Sequence, residues 1–283
     1  MMQRYMKIIL SRKGFDSANG GIVSPIFEDG TLMSFPIPDK KESDDTYDDL
    51  VYGSQSYREI LSNLHFKDTS NYRCHVDPDL DCGRRKEIPD GWVPIFGQIN
   101  SSARYLLRAE DAVQEGDIFL FFGNFHAVEE QNGKYKYKKK TGDFYQDNDL
   151  QIIWGYLQIG NIITNKDEQL ALKWHPHARG GRPDNSSNVL FVAAEHLSFA
   201  PEMPGAGLLK FSRERVLTLE GASKATWKMN AVYDLDSILS KRKNLAKNPD
   251  DGIYYAGIWQ ELKLKESDQC EEWAKSIMLL FSD

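Results

Sequence analysis

Short runs of apolar residues, each about as long as a β-strand, recur along the first two thirds of the chain. The clearest runs predict strands over residues 7–11, 118–123, 151–163 and 189–194. Turn-forming residues separate these runs, as in Asn132-Gly133. The pattern therefore predicts a protein rich in β-structure.

Helical periodicity stands out in two segments. In residues 101–108 an apolar group follows Ser102, which we expect to cap a helix. In residues 268–281, Trp273 and Ile277 lie one helical turn apart and indicate a C-terminal helix. The fold class that follows is α+β, a strand-rich mixed domain with a helix at its C-terminal end.

Two strand-like segments, "QEGDIFLFFG" and "IIWGYLQIGNII", indicate a tightly curved sheet. A turn with Asp117 precedes the first, and Gly155 and Gly160 stand in the second, where side chains would crowd a curved sheet. The pair is similar to strands of PUA-like barrels, which hold single nucleobases. We therefore expect a small PUA-like β-barrel over about residues 112–196.

Length and composition fit one domain over residues 6–283, with residues 1–5 as an N-terminal extension. No apolar run approaches the roughly 20 residues of a membrane span, and the N-terminus lacks the apolar stretch of a signal peptide. The three cysteines are odd in number and show no CxxC spacing, which favours a reducing compartment. We expect a cytoplasmic protein without a membrane partner.

The net charge of -7 excludes nucleic-acid binding by bulk attraction, so any such binding needs a local basic strip. The segment "QNGKYKYKKKTGD" reads as a hairpin with lysines on one face. Lys136, Lys138 and Lys140 are our candidates for contacts to a nucleic-acid backbone. Alternatively, the lysines protect an edge strand against aggregation.

The stretch "LSRKGFDSANGG" places polar residues directly after an apolar strand. It contains neither GxxxxGK[ST] nor GxGxxG before a helix, because prolines follow soon afterwards, so the standard nucleotide loops are excluded. We expect Ser11, Arg12 and Lys13 to meet a phosphate or sugar, and Asp16 to act in catalysis. The alternative is a set of ion pairs beside glycine turns.

In "YRCHVDPDLD" the side chains of His75, Asp77 and Asp79 alternate, so an extended backbone would project them from one face. We take this trio as an acid/base or metal-binding group. The alternative is an Asp-Pro turn beside a hydrogen-bonded histidine.

The segment "KWHPHARGGRPDNSSN" carries an HxH pair, His175 and His177, in a glycine-rich loop with Arg179 and Arg182. We expect His175, His177 and Arg179 to bind an anionic substrate. If a divalent metal binds, its candidate ligands are His75, Asp77, His175 and His177; the cofactor is otherwise left open.

Polar groups beside aromatic rings form a further candidate set. Gln98 in "FGQ" and Gln260-Glu261 in "IWQEL" could read the edge of a base. The alternative is a set of buried amides with satisfied hydrogen bonds. The chain has no GxSxG, HExxH or kinase motif, which disfavours familiar hydrolases and kinases.

Seven segments in order resemble the nucleotide modification associated domain 3 family, found mainly in bacteria and fungi: "MKIILSRKGFDSANGGIVSPIFEDGTLMSFPIPD", "CHVDPDL", "FGQ", "GDIFLFFGNF", "WGYLQIG", "WHPHA" and "GAG". The resemblance spans Met6 to about Phe281. It implies a role in modification of nucleotides or DNA bases, with nucleotides or nucleic acid and other base-modification enzymes as partners. It implies no particular reaction.

Three hypotheses follow from these features. The first is an enzyme that binds a nucleotide or nucleobase and acts on it. The second is a non-catalytic PUA-like reader of modified bases, and the third is a metal-dependent nuclease of a defence system.

Overall fold

The computed structural model describes residues 4–16, 18–39, 44–68, 70–233, 252–255 and 260–280. Its strands are β1 (Ile8–Arg12), β2 (Ser24–Ile26), β3 (Ile37–Pro38), β4 (Val51–Tyr52), β5 (Gln55–Ser56), β6 (Cys74–His75), β7 (Ile95–Gln98), β8 (Ile118–Gln131), β9 (Lys134–Tyr137), β10 (Leu150–Ile163), β11 (Val189–Ala193), β12 (His196–Leu197), β13 (Ala200–Pro204), β14 (Ala206–Leu208), β15 (Thr226–Trp227), β16 (Ile253–Tyr254) and β17 (Glu261–Lys263). Its helices are α1 (Tyr57–Asn63), α2 (Asn100–Leu106), α3 (Phe144–Asp147), α4 (Lys166–Ala171) and α5 (Asp268–Leu279). The predicted α+β class and C-terminal helix are confirmed.

One large mixed sheet organises the fold. Its strand order is β17-β1-β8-β10-β11-β7, with β14 paired to β10 and both β2 and β9 paired to β8. The β1–β8 and β2–β8 pairs are parallel, and the remaining pairs of this sheet are antiparallel. β1 thus lies between β8 and the late strand β17.

Alternation along the strands builds one apolar core on each face of the sheet. In β1, Ile8 and Leu10 pack into the cluster that includes the buried face of α5, whereas Ile9 joins the cluster on the other face. In β8, Leu120 and Phe121 divide in the same way. The continuous apolar runs of the sequence are therefore strands buried on both faces.

No closed barrel forms among the residues that the structure describes, so the barrel expected over residues 112–196 is corrected. The sheet also takes in β1, β7 and β17, which lie outside that range, and no backbone ladder joins β7 to β17. Crowding at the two glycines of β10 is confirmed. A Cβ atom at Gly155 would stand 2.8 Å from Leu80 Cδ1, and one at Gly160 would stand 2.6 Å from Ala194 Cα.

The N-terminal caps of the two predicted helices, α2 and α5, differ in kind. The N-cap of α2 is Ile99, which makes no capping hydrogen bond through its side chain, and Ser102 lies inside the helix. The helix therefore begins earlier than Ser102, and its predicted cap was wrong. At α5 the hydroxyl of Ser267 accepts a hydrogen bond from Cys270 N, so this helix has a regular polar cap.

Within the described ranges, none of the helices has the length and apolar character needed to cross a membrane. Cys74, Cys82 and Cys270 are all unpaired. Burial raises the pKa of the Cys74 thiol, and it raises the pKa of Cys270 to about 12. Cys74 and Cys270 are therefore protonated at neutral pH and pack as small apolar groups.

Candidate functional site

A cleft of about 240 Å³ opens at the end of β1, where segments from distant parts of the chain meet. Its lining includes eight of the residues predicted from the sequence: Arg12, Lys13, Asp16, His75, Asp77, Gln98, His177 and Gln260. Arg182 and Asn19 add to its polar surface. The fold thus brings five separate sequence segments into one cavity.

Short backbone contacts hold these segments in place. At the end of β1, Arg12 N donates to Gln260 O at 2.7 Å and Lys13 N donates to Phe122 O at 2.8 Å. β6 pairs with β3 so that His75 stands opposite Ile37. The side chains of the cleft therefore project from a framework of ordinary sheet hydrogen bonds.

Asp77 is the central carboxylate of the cleft, with a side chain that is 5% exposed. Its Oδ1 accepts a hydrogen bond from Gly97 N at 2.6 Å, and His175 Nε2 faces the same oxygen at 3.4 Å. Burial alone would raise the pKa of Asp77, but the surrounding histidines outweigh burial and hold the pKa below its ordinary value. Asp77 is therefore ionised at neutral pH.

His177 presents a lone pair toward Asp77. Asn188 Nδ2 donates to Gln169 Oε1 at 2.7 Å and to His177 O at 2.9 Å, so its Oδ1 is an acceptor. His177 Nδ1 lies 2.9 Å from that oxygen and must donate to it. Burial lowers the pKa of His177 to about 3, so the ring is neutral at pH 7 and its Nε2 is unprotonated, 3.7 Å from Asp77 Oδ2.

His75 completes the group on the opposite side of Asp77. Its Nε2 lies 3.9 Å from Asp77 Oδ2, and its ring centroid lies 5.1 Å from that of His177. Its Nδ1 accepts from Arg182 Nη1 at 3.0 Å and lies 3.5 Å from Asp39 Oδ2. Burial lowers the pKa of His75, although the nearby carboxylates of Asp39 and Asp77 oppose this. His75 is therefore neutral at pH 7.

His175 and Gly97 contact Asp77 and His177 from outside the cleft lining. His175 is fully buried, and its Nδ1 accepts a hydrogen bond from His177 N at 3.3 Å at the start of the 3₁₀ turn Pro176–Ala178. Since Nδ1 accepts, the proton of His175 stands on Nε2, toward Asp77. A Cβ atom at Gly97 would lie 2.3 Å from His177 Cγ, so only glycine lets β7 pass this close to the ring.

The other wall of the cleft carries cations, and each lies near a carboxylate. Arg12 Nη2 lies 3.3 Å from Asp16 Oδ2, and Lys13 Nζ lies 3.3 Å from Glu261 Oε1 and 4.5 Å above the Phe96 ring. Asp16 Oδ1 also accepts the backbone N–H groups of its own turn. The ion pairs expected under the alternative interpretation are thus present. Arg12 and Lys13 nevertheless line the cavity.

Gln98 and Glu261 meet at this wall across the open edge of the sheet. Gln98 Nε2 donates to Glu261 Oε1 at 2.5 Å, while its Oε1 accepts from Ile99 N at 3.1 Å. The second oxygen of Glu261 is buried without a hydrogen-bond partner. Both ends of the Gln98 amide are therefore engaged within the protein.

Four of the residues predicted for catalysis or for binding of phosphate and other anions lie outside the cleft lining. Ser11 is fully buried in the sheet opposite Glu261, and His175 lies behind Asp77. Arg179 donates to Lys173 O and Trp174 O and pairs with Asp44, which ties down its own loop. The fourth is Asp79, whose carboxylate bonds to Arg85 and Trp92.

Asp79 lies in a buried ion pair and does not line the cleft. Its Oδ2 accepts from Arg85 Nε at 2.8 Å and from Trp92 Nε1 at 3.0 Å, with side chains of Asp79 and Arg85 only 3% exposed. The backbone N–H of Asp77 bonds to His75 O at 2.9 Å, a tight turn that ends the extended segment. Beyond this turn the alternation no longer holds.

The lysine-rich hairpin is formed by the end of β8 and β9, with Asn132 and Gly133 at positive φ in its turn. Lys136 and Lys140 are exposed. Lys138 is half-buried and donates to Gln146 Oε1 at 3.2 Å. None of the three lines the cleft, so their proposed contacts to nucleic acid would lie on a separate surface.

Three residues that shape the site were not among the sequence candidates. Asn188 lies beside His177, and Asp39 lies beside His75. Asn188 ends the same quoted segment as the HxH pair, 11 residues after His177, but no pattern in the segment assigned it a role, and Asp39 lies far from His75 along the chain. Arg182 had a signal, because it stands in the same glycine-rich loop as the HxH pair. Its position beside His75 favours Arg182 over Arg179 as the loop cation of the cleft.

Comparison with known proteins gives one finding. The sequence model of the family described as "Nucleotide modification associated domain 3" matches residues 7–265. No curated protein and no solved structure matches the chain.

Proposed function

Because the chain belongs to the nucleotide modification associated domain 3 family, we propose that its cleft binds a nucleotide or nucleobase and that the protein acts on it. The family description associates the chain with nucleotide modification. The proposal adds a place for the substrate and a set of reacting groups.

The observation that carries the proposal is the meeting of cations and a buried imidazole–carboxylate group in one cavity. Arg12, Lys13 and Arg182 supply the donors that phosphate oxygens prefer. A volume of about 240 Å³ lies below the common range of roughly 300–1,000 Å³ for ligand pockets. This size favours a single nucleotide unit or a base over a longer strand segment.

Action on the ligand, rather than capture alone, is supported by the protonation states. Asp77 is ionised, and the Nε2 atom of neutral His177 is an unprotonated acceptor at the cleft surface. Groups of this kind accept protons at neutral pH when a substrate stands within hydrogen-bond distance. Asp16 is less suited to this task, since its carboxylate already organises a turn and pairs with Arg12.

Titration of nucleoside monophosphates by calorimetry tests the proposal, together with mass spectrometry of any small molecule that co-purifies. We expect binding by the full chain and at least a tenfold loss of affinity in Arg12→Gln, since one charged hydrogen bond contributes about 1.5–3 kcal/mol. Arg58→Gln is the matched control, because Arg58 also pairs with an exposed aspartate but lies outside the cleft. No binding, or equal binding by both variants, would reject the proposal.

The metal-dependent nuclease is a second candidate, favoured by the grouping of two histidines with a carboxylate. This hypothesis predicts nicking of DNA that requires a divalent metal and that is lost in Asp77→Asn. Nicking that persists in this variant would exclude Asp77 as the centre of such an activity.

A further inference from the structure

We infer that His75, Asp77 and His177 form a binding site for one divalent transition-metal ion at the floor of the cleft. The inference deepens the proposed function and rests on it for the nature of the substrate. The metal itself can be measured without any nucleotide.

Distances among the three side chains suit a shared ion. One ligand atom from each lies within 4.8 Å of the others. Asp77 Oδ2 stands 3.7 Å from His177 Nε2 and 3.9 Å from His75 Nε2. Bond lengths of about 2.0–2.2 Å place neighbouring ligand atoms roughly 3.0–3.6 Å apart, so the two distances to Asp77 need to shorten by only a few tenths of an ångström.

Hydrogen bonding assigns the two ring nitrogens of His177 to different tasks. Nδ1 lies 2.9 Å from Asn188 Oδ1, which is an acceptor, so this nitrogen is engaged as a donor. Nε2 is the ring nitrogen on the side of Asp77, 3.7 Å from Oδ2. His177 Nε2 and Asp77 Oδ2 are therefore the two atoms between which an ion would lie.

The groups beside the outer ring nitrogens suit coordination by His177 as they stand and by His75 after one tautomer change. Metal-bound histidines usually donate their other ring N–H to a carboxylate or carbonyl oxygen. His177 makes this bond to Asn188. For His75 to coordinate through Nε2, its proton must move to Nδ1, where Asp39 Oδ2 at 3.5 Å is the acceptor. Arg182 then gives up its bond to Nδ1 and keeps those to Pro176 O and Asp39.

Asp77 can contribute one oxygen without losing its anchor. Its Oδ1 is held by Gly97 N and faces His175 Nε2, which leaves Oδ2 for the metal. His175 is a positioning residue in this scheme, because its Nδ1 is engaged by His177 N and its Nε2 carries the proton. The four-residue ligand set expected from the sequence thus reduces to three.

Two imidazoles and one carboxylate suit Zn²⁺, Fe²⁺, Co²⁺ or Mn²⁺. Three protein ligands leave at least one coordination position for water or a ligand oxygen, which distinguishes reactive sites from closed structural ones. All three side chains line the cleft that also contains Arg12 and Lys13. The open position therefore faces the place proposed for the nucleotide.

The test is titration of the full chain with Co²⁺ after treatment with a chelator, followed by visible absorption. We expect one ion per chain, displacement by Zn²⁺, and loss of the signal in His177→Gln and Asp77→Asn. Asn188→Ala should weaken binding by roughly 10–100-fold, because it removes the acceptor behind His177 together with the hydrogen bonds that Asn188 donates to Gln169 and to His177 O. His126→Gln is the matched control, since His126 pairs with Asp149 outside the cleft.

A folded wild-type chain that binds no Co²⁺ would overturn the inference, and so would undiminished binding in both ligand variants. If the variants do not fold, the wild-type stoichiometry and the Asn188→Ala titration still decide the matter. Nucleotide binding by the metal-free chain is a separate measurement. Metal binding without nucleotide binding would reject the proposed function alone, and the reverse result would reject the metal site alone.

Discussion

Gly97 shows at the scale of one residue how closely the site is packed. Alanine there would place its Cβ atom 2.3 Å from His177 Cγ, while the backbone N–H of Gly97 also holds Asp77. We expect Gly97→Ala to lower the free energy of unfolding by about 1–3 kcal/mol, the usual cost of overpacking. Urea denaturation measures this change.

Gly181→Ala provides the control for this substitution. It lies in the loop after the HxH pair, has ordinary φ and meets nothing within 4 Å of an added Cβ. Its effect should stay within about 0.5 kcal/mol. A Gly97→Ala variant as stable as Gly181→Ala would contradict the close packing of His177 against β7.

Asp79 is a buried carboxylate outside the cleft, and its contribution to stability can be tested by itself. It forms a buried pair with Arg85, and burial raises its pKa although the cation opposes this effect. Removing one member of a buried pair costs about 3–5 kcal/mol, so Asp79→Ala should strongly destabilise the fold in urea. The exposed pair of Asp48 with Arg58 is the control, where Asp48→Ala should cost less than about 1 kcal/mol. Equal losses in the two variants would argue against the buried pair.

The alternation of side chains along an extended segment predicted part of the site but not all of it. It placed His75 and Asp77 on one face, and both line the cleft. It failed at Asp79, whose carboxylate bonds to Arg85 and Trp92 and does not line the cleft. Asn188 could not be found, since its role depends on a contact that only the folded chain creates.

At the scale of elements, the sequence predicted most long strands but not their arrangement. β8 and β10 pair as adjacent apolar strands with a register shift near Gly155, where the sequence indicated curvature. The insertion of β1 between β8 and β17 is invisible locally, because it depends on pairing between opposite ends of the chain. Barrel closure was wrongly predicted, because the sequence indicates only local curvature of the strands. Closure also requires two particular edge strands to pair, which no local pattern reveals.

The hairpin of β8 and β9 allows a test of the reader hypothesis. Lys136 is exposed and donates only to Gln131 on the same hairpin, so Lys136→Ala should change stability by less than about 0.5 kcal/mol. If the hairpin grips a nucleic-acid backbone, the salt dependence of DNA binding should lose roughly one unit of slope per lysine removed. Fluorescence anisotropy at several salt concentrations measures the slope. An unchanged slope would leave protection of a sheet edge as the role of these lysines.

At the scale of the whole molecule, the cleft joins segments that are remote in sequence. Arg12 ends the first strand, Gln98 ends β7, and Gln260 directly precedes β17. β1 also lies between β17 and β8 in the large sheet, bonded on both sides. A ligand that bridges these segments should therefore stabilise the entire fold rather than one loop.

Binding of a metal ion allows the stabilisation of the folded chain by a ligand to be measured. A ligand that binds only the folded chain at one hundred times its dissociation constant adds about 2.7 kcal/mol to the free energy of unfolding. With Co²⁺ at that concentration, hydrogen exchange should slow together in β6, in β7 at Gly97 and in the turn that contains His177, because the ion joins His75 and His177 through Asp77, which Gly97 N holds. A chelator should reverse the change. Slower exchange confined to the loop around His177 would mean that the ion is held by that loop and not by the three side chains together.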